Sequence, residues 1–162
     1  MSITIEQVQA FLFREARLLD DKQFDAWLEC YAPDAEYWVP SWDDDNTLTR
    51  DPQNEISLIY YANRGGLEDR VFRIKTERSA ASMPEPRTGH HLSNIEILEQ
   101  DAGVVTARFN WNNCCYRYHM TDSYFGRSTY QIDFNGAQPQ IRKKHVVIKN
   151  DYIHHVIDVI CL

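Results

Sequence analysis

The apolar residues of this chain change their period once, and that change restricts the fold more than any motif does. Near the N-terminus Val8, Phe11, Leu12 and Leu19 recur at helical spacing, with charges on the other side. Thr4 followed three residues later by Gln7 is a capping box, and Ile3 with Val8 has hydrophobic-staple spacing, so a helix begins there. Beyond residue 104 the pattern alternates. Val105, Ala107, Phe109 and Trp111 interleave with Thr106, Arg108, Asn110 and Asn112, which describes a half-buried strand. Tyr124, Tyr130, Ile132 and Phe134 interleave likewise with Phe125, Arg127, Thr129, Gln131 and Asp133. Asn135-Gly136 predicts a type I′ hairpin turn, because both of its central positions need positive φ, and residues 141–149 supply the return strand. Residues 100–103 offer a similar turn between a strand ending near Glu99 and one starting at Val104. Helices first and antiparallel strands last is an α+β pattern. A strongly twisted sheet wrapped around the helices would bury the apolar stripes of both.

Between these regions a second helix is expected from Asp20 or Asp21, with Phe24, Trp27, Leu28 and Tyr31 on its buried face and Pro33 ending it. Residues 35–40 read as a short strand, 43–52 as an acidic surface loop and 55–62 as a strand. Residues 65–76 read as a helix with Leu67, Val71, Phe72 and Ile74 available for burial, and 79–87 as a loop marked by two prolines. No repeat, low-complexity tract or linker divides residues 1–162, which read as one domain large enough for a core without disulfides or a structural metal.

A net charge of −7 argues against nucleic acid as a partner. Glu6, Arg14, Glu15 and Asp20 exclude a signal-peptide core in the first twenty residues. No apolar run approaches the roughly 20 residues of a membrane helix. Cys30, Cys114, Cys115 and Cys161 have no CxxC spacing and read as buried thiols in a reducing cytoplasm, with Cys114 and Cys115 on opposite faces of a strand. Arg142-Lys143-Lys144 must split between the faces of its strand, as a solvated edge or a subunit contact. Asp43-Asp44-Asp45 reads as a solvated loop, since no EF-hand spacing accompanies it. Trp38, Trp42, Tyr60, Tyr61 and Trp111 exceed what one modest core needs, and such anchors also concentrate at permanent interfaces.

Three segments carry a family resemblance: Tyr31-Ala32-Pro33-Asp34-Ala35-Glu36-Tyr37-Trp38-Val39-Pro40, Thr121-Asp122-Ser123-Tyr124-Phe125-Gly126 and Lys149-Asn150-Asp151-Tyr152-Ile153. Together they resemble the small (beta) subunits of aromatic-ring-hydroxylating dioxygenases, in the branch acting on benzoate, toluate, halobenzoate and anthranilate. The end of the chain, Val159-Ile160-Cys161-Leu162, is more apolar than that branch leads one to expect. The resemblance implies a cone-shaped cystatin-like fold similar to nuclear transport factor, scytalone dehydratase and ketosteroid isomerase. It implies a homotrimer of this chain inside an α3β3 hexamer with a large alpha subunit. That large subunit would hold a Rieske [2Fe–2S] cluster and a mononuclear iron, fed by NADH through a separate reductase. The holoenzyme would convert an aromatic carboxylate, benzoate foremost, to a cis-dihydrodiol, and this chain would stabilise the catalytic subunit.

The residues agree with a chain that has no catalytic, cofactor-binding or metal site of its own. A Rieske centre needs two Cys and two His, yet no cysteine here has a histidine within three residues. His90-His91 and His154-His155 are adjacent pairs that a strand would send to opposite faces, which does not suit a two-His-one-carboxylate iron site. HExxH, GxxxxGK[ST] and GxGxxG are all missing. The alternative is a stand-alone cone-fold lyase or isomerase, in which Asp34 and one of His90, His91 or His119 form an acid–base dyad. Tyr37 and Tyr60 would serve as its hydrogen-bond donors. Against it, Asp34 follows a proline, where an aspartate usually makes a turn.

Overall fold

The structure, a computed structural model, describes residues 2–76 and 84–162. The first helix, α1 (Ile5–Asp20), starts at the capping box: Gln7 N–H donates to Thr4 Oγ1 (3.3 Å), and Thr4 N–H to Gln7 Oε1 (2.9 Å). It buries Val8, Phe11, Leu12, Ala16 and Leu19, and with them Glu15.

The second helix departs from expectation. Asp20 completes α1 and Asp21 caps its end, so α2 (Phe24–Leu28) has only five residues and no side-chain cap. Tyr31 does not extend α2, and Pro33 does not end it. Both lie in β1 (Tyr31–Pro40). Pro33 is tolerated because the ladder is irregular between Tyr31 and Glu36, where no proline N–H is required.

β2 (Ser57–Tyr61) pairs with β1, and α3 (Gly65–Lys75) follows. Leu67, Val71 and Ile74 share the buried side of α3, whereas Phe72, about 100° round from Val71, is 59% exposed. Of the expected 79–87 loop, residues 79–83 lie outside the described residues, and Arg87 already belongs to β3.

The second half is a meander of β3 (Arg87–Asp101), β4 (Val104–Arg117), β5 (Met120–Asp133) and β6 (Gln140–Ile148). The six-stranded sheet has the order β2-β1-β6-β5-β4-β3. Every neighbouring pair is antiparallel except β1–β6, which is parallel and corrects the expectation of a purely antiparallel sheet.

The tight turn expected at residues 100–103 forms, whereas the one expected at Asn135-Gly136 does not. Left-handed backbone falls on Ala102-Gly103 (φ +48° and +79°) and on Tyr118-His119 (+53° and +62°). Asn135 and Gly136 do not adopt positive φ, and residues 134–139 make a longer connection. Asn135 instead donates its N–H to Asp133 Oδ1 (2.9 Å) and its amide to the Ala102 carbonyl (2.9 Å), tying two hairpins together.

One core runs from Ile3 to Leu162 and includes Trp27, Tyr31, Tyr37, Trp111, Ile132 and Ile141. Residues 157–162 enter it with Ile157, Val159, Ile160, Cys161 and Leu162. Cys161 sits in a short 3-10 turn (Val159–Cys161).

Candidate functional site

Deep in the fold lies a charged cluster. Glu15 occupies the apolar stripe of α1 between Leu12 and Leu19. Its Oε1 accepts from Trp27 Nε1 (2.9 Å), Tyr31 OH (2.9 Å) and Lys144 Nζ (3.3 Å). Lys144 is 1% exposed, donates also to the Leu162 carbonyl (3.3 Å), and lies 5.2 and 5.1 Å from the ring centres of Tyr37 and Tyr130. Burial pulls the Lys144 amine below its usual pKa, with Glu15 pulling the other way. Burial first, and Glu15 second, push the phenols of Tyr31, Tyr37 and Tyr130 well above theirs. These tyrosines are therefore fixed protonated.

Lys144 reaches the interior because β6 carries an extra residue. Ile141 pairs with Ile132 and Lys143 with Gln131, so Arg142 is left without a ladder partner. Arg142 and Lys143 are exposed, and Arg142 bonds Asp133. β6 lies between β1 and β5, so the solvated-edge reading of the basic run does not hold.

The open end of the sheet holds a cavity of about 780 Å³ between β2, the β4–β5 hairpin and residues 155–161. Arg70 closes one side through a bidentate bond to Asp158 (Nε 3.1 Å from both oxygens). Asp122 and His155 face each other at 4.0 Å, beyond hydrogen-bond reach. Leu58, Tyr118, Met120 and Val156 line the rim and are all exposed, Val156 at 97%. Two of the segments singled out in the sequence meet beside β5, outside the cavity: Asn150 accepts from Phe125 N–H and donates to the Ser123 carbonyl, both at 3.0 Å.

The proposed acid–base dyad does not assemble. Asp34 is exposed on β1. His90 pairs with Asp20, not Asp34, with Nδ1 2.5 Å from Oδ1. Asp20 also accepts from Thr88 Oγ1 (2.9 Å) and His90 N–H (3.1 Å). His91 is exposed and donates to the Asn112 carbonyl (3.0 Å), and His119 is exposed at a hairpin tip. Tyr37 is buried, and its hydroxyl finds no partner among the described residues. Only Tyr60 of the six candidates lines the cavity, and it donates to Glu36 (3.3 Å). Ile157 and Val159 to Leu162 are buried in the core, as is the Glu15–Lys144 pair, so neither brings a dyad residue into the cavity.

Trp111 is core, while Trp38 stacks on His145 (4.7 Å) and Trp42, partly exposed, donates to the Ile148 carbonyl (2.7 Å). Asp45 accepts from Thr47 within its own loop (2.6 Å). Cys30, Cys115 and Cys161 are buried and Cys114 is half-buried. Burial, then Glu15, raises the Cys30 thiol to about 11. Cys115 and Cys161 bring their sulfurs to 2.6 Å, but no two histidines accompany them, so these residues do not fit a Rieske cluster. Among the described residues no three His, Cys, Asp or Glu side chains gather as metal ligands. No helix among them is long and apolar enough to cross a membrane.

Glu15, Asp20 and Lys144 went unseen as interacting groups in the sequence. A carboxylate on the apolar stripe of α1 was the available signal for Glu15. Lys144 gave none, because the bulge that turns it inward has no sequence mark.

Comparison with known proteins follows the same lines. The chain is 60% identical over 158 residues to the benzoate 1,2-dioxygenase subunit beta of Acinetobacter baylyi, covering 98% of this chain and 94% of that protein. The crystal structure of the beta subunit of the benzoate 1,2-dioxygenase from Burkholderia mallei superposes with a TM-score of 0.85 at 54% identity, covering 100% and 99% of the two chains. An NTF2-like protein with a cystatin-like fold from Novosphingobium aromaticivorans shares the fold at 13% identity, with a TM-score of 0.59 over 91% of this chain and 82% of that one. The family profile described as ring hydroxylating beta subunit matches residues 14–155. With the dyad residues dispersed and this profile and relative spanning nearly the whole sequence, the chain belongs to the ring hydroxylating beta subunit family.

Proposed function

We propose that this chain is the structural small subunit of a benzoate-class 1,2-dioxygenase. It joins a large alpha subunit as three α–β pairs, in the cytoplasm, and holds no redox centre itself. The observation that carries this reading is the contrast between interior and rim. The interior is closely packed around its buried ion pair, while the open end presents Leu58, Tyr118, Met120 and Val156 to solvent. Apolar side chains grouped on one rim mark a surface made to be covered. The Rieske cluster and the mononuclear iron, with electrons from NADH and with O₂, would do the chemistry on the large subunit. This chain's contribution is geometric: a rigid sheet, pinned by its buried ion pair, that holds neighbouring large subunits in position.

The test is the light-scattering mass of the purified chain, alone and co-expressed with the large subunit of the same enzyme. A trimer alone and a brown α3β3 hexamer on co-expression support the reading. A monomer or dimer that ignores the large subunit overturns it.

A further inference from the structure

We propose that Cys115 and Cys161 are a thiol pair that a hydroperoxide converts to a disulfide, fastening residues 157–162 to β4. Three observations carry this. The two sulfurs are 2.6 Å apart, against about 2.05 Å in a formed disulfide, so closure needs a displacement of a fraction of an ångström. Both residues line the cavity at the open end of the sheet, which in the chain alone, with that end uncovered, gives a small oxidant a path to otherwise buried sulfurs. Cys161 is also held in place: Asn113 Nδ2 donates to its carbonyl (3.1 Å), and Arg70 grips Asp158 three residues before it. The other cysteines are differently placed. Cys30 is engaged with Arg14 and the Ala26 carbonyl, and Cys114 does not line the cavity.

The two sulfurs are in contact and either can act as donor to the other, so whichever is oxidised first has its resolving partner beside it; Cys115 on β4 stands for the first. The Cys115 thiolate attacks one oxygen of hydrogen peroxide. The O–O bond breaks, leaving a sulfenic acid and a hydroxide. That hydroxide takes the Cys161 proton, and the Cys161 sulfur attacks the Cys115 sulfur. The S–O bond breaks, the S–S bond forms, and the second oxygen leaves as water once protonated. Two thiols lose two electrons and two protons, and one peroxide becomes two waters. The bond links positions 46 residues apart and locks residues 157–162 to β4.

The inference does not depend on the large subunit, so the full chain is tested alone. It is treated with hydrogen peroxide from one equivalent upward, alkylated in denaturant and mapped by peptide mass. The expected result is loss of two of the four thiols, a cross-linked peptide pair joining Cys115 to Cys161, and reversal by dithiothreitol. Amide exchange in residues 157–162 should slow by at least about tenfold on oxidation. Cys115→Ser and Cys161→Ser should each abolish the cross-link. The peptide map of the unmutated chain decides the matter even where a variant fails to fold. Oxidation that begins at Cys30 or Cys114, stops at a sulfinic acid on Cys115, or links two chains overturns the proposal.

Discussion

Replacing Lys144 with methionine keeps the length of a 1%-exposed side chain and deletes its charge. Glu15 then remains in the core with only the Trp27 indole and the Tyr31 hydroxyl as donors. Breaking a buried pair by removing one partner typically costs about 3–5 kcal/mol, because the remaining charge is left uncompensated. Two surviving donors at 2.9 Å place this case at the low end, about 3 kcal/mol. For a chain of this size that lowers the Tm by roughly 6–12 °C. Adding Glu15→Gln removes the stranded charge while keeping an acceptor for both donors. The double variant should return to within about 1 kcal/mol of the parent, recovering roughly 2 kcal/mol of what Lys144→Met alone loses. Urea unfolding at one fixed protein concentration reads the parent and both variants, since association would otherwise shift the midpoints. A Lys144→Met cost below about 1 kcal/mol, or a double variant no better than the single, would refute the idea that the pair is a closed electrostatic unit.

Gly126→Ala should cost roughly 2–4 kcal/mol or leave the chain insoluble, because its Cβ would run into the Val147 carbonyl oxygen and press on Trp111. A near-unchanged urea midpoint would contradict this. Ala102→Asn should stabilise by about 0.5–1 kcal/mol, since Asn tolerates the left-handed backbone that Ala102 adopts at φ +48°, and a lower Tm would count against it. Burial works to raise the Asp20 carboxyl, but bonds from His90 and Thr88 outweigh it and hold the pKa below the usual value. Its stabilising contribution is therefore complete above the unfolded value near pH 4 and is lost as pH falls through the lower folded one. Urea midpoints between about pH 2 and 5 should fall less steeply for Asp20→Asn, and parallel curves would show that Asp20 is not responsible.

The elements visible in the sequence were those whose signal is local. The Thr4–Gln7 box, the alternation of Val105 to Trp111 and the helix at residue 65 each depend on neighbours within a few positions. Where a remote contact decides, local reading failed. Pro33 looks like a helix terminator until β6 provides an irregular ladder beside it. Asn135-Gly136 looks like a tight turn until the Ala102 carbonyl captures the asparagine side chain. Asp34 drew interest as the acid of a dyad, yet the residue that meets His90 is Asp20, brought from the far end of α1 by packing on β3. The family was legible because its marks lie in three contiguous segments, two of which Asn150 joins in space.

The parallel β1–β6 pairing sets an order on the birth of the molecule. Tyr31 must wait for Ile141, more than a hundred residues later, while β3 to β6 find one another through short connections. On a ribosome the half made first is thus completed last. Until β6 emerges, β1 offers a bare strand edge and α1 an uncovered apolar stripe, both of which invite pairing with other nascent chains. Rapid production of this subunit should therefore be limited less by its final stability than by how long that early half stays uncovered.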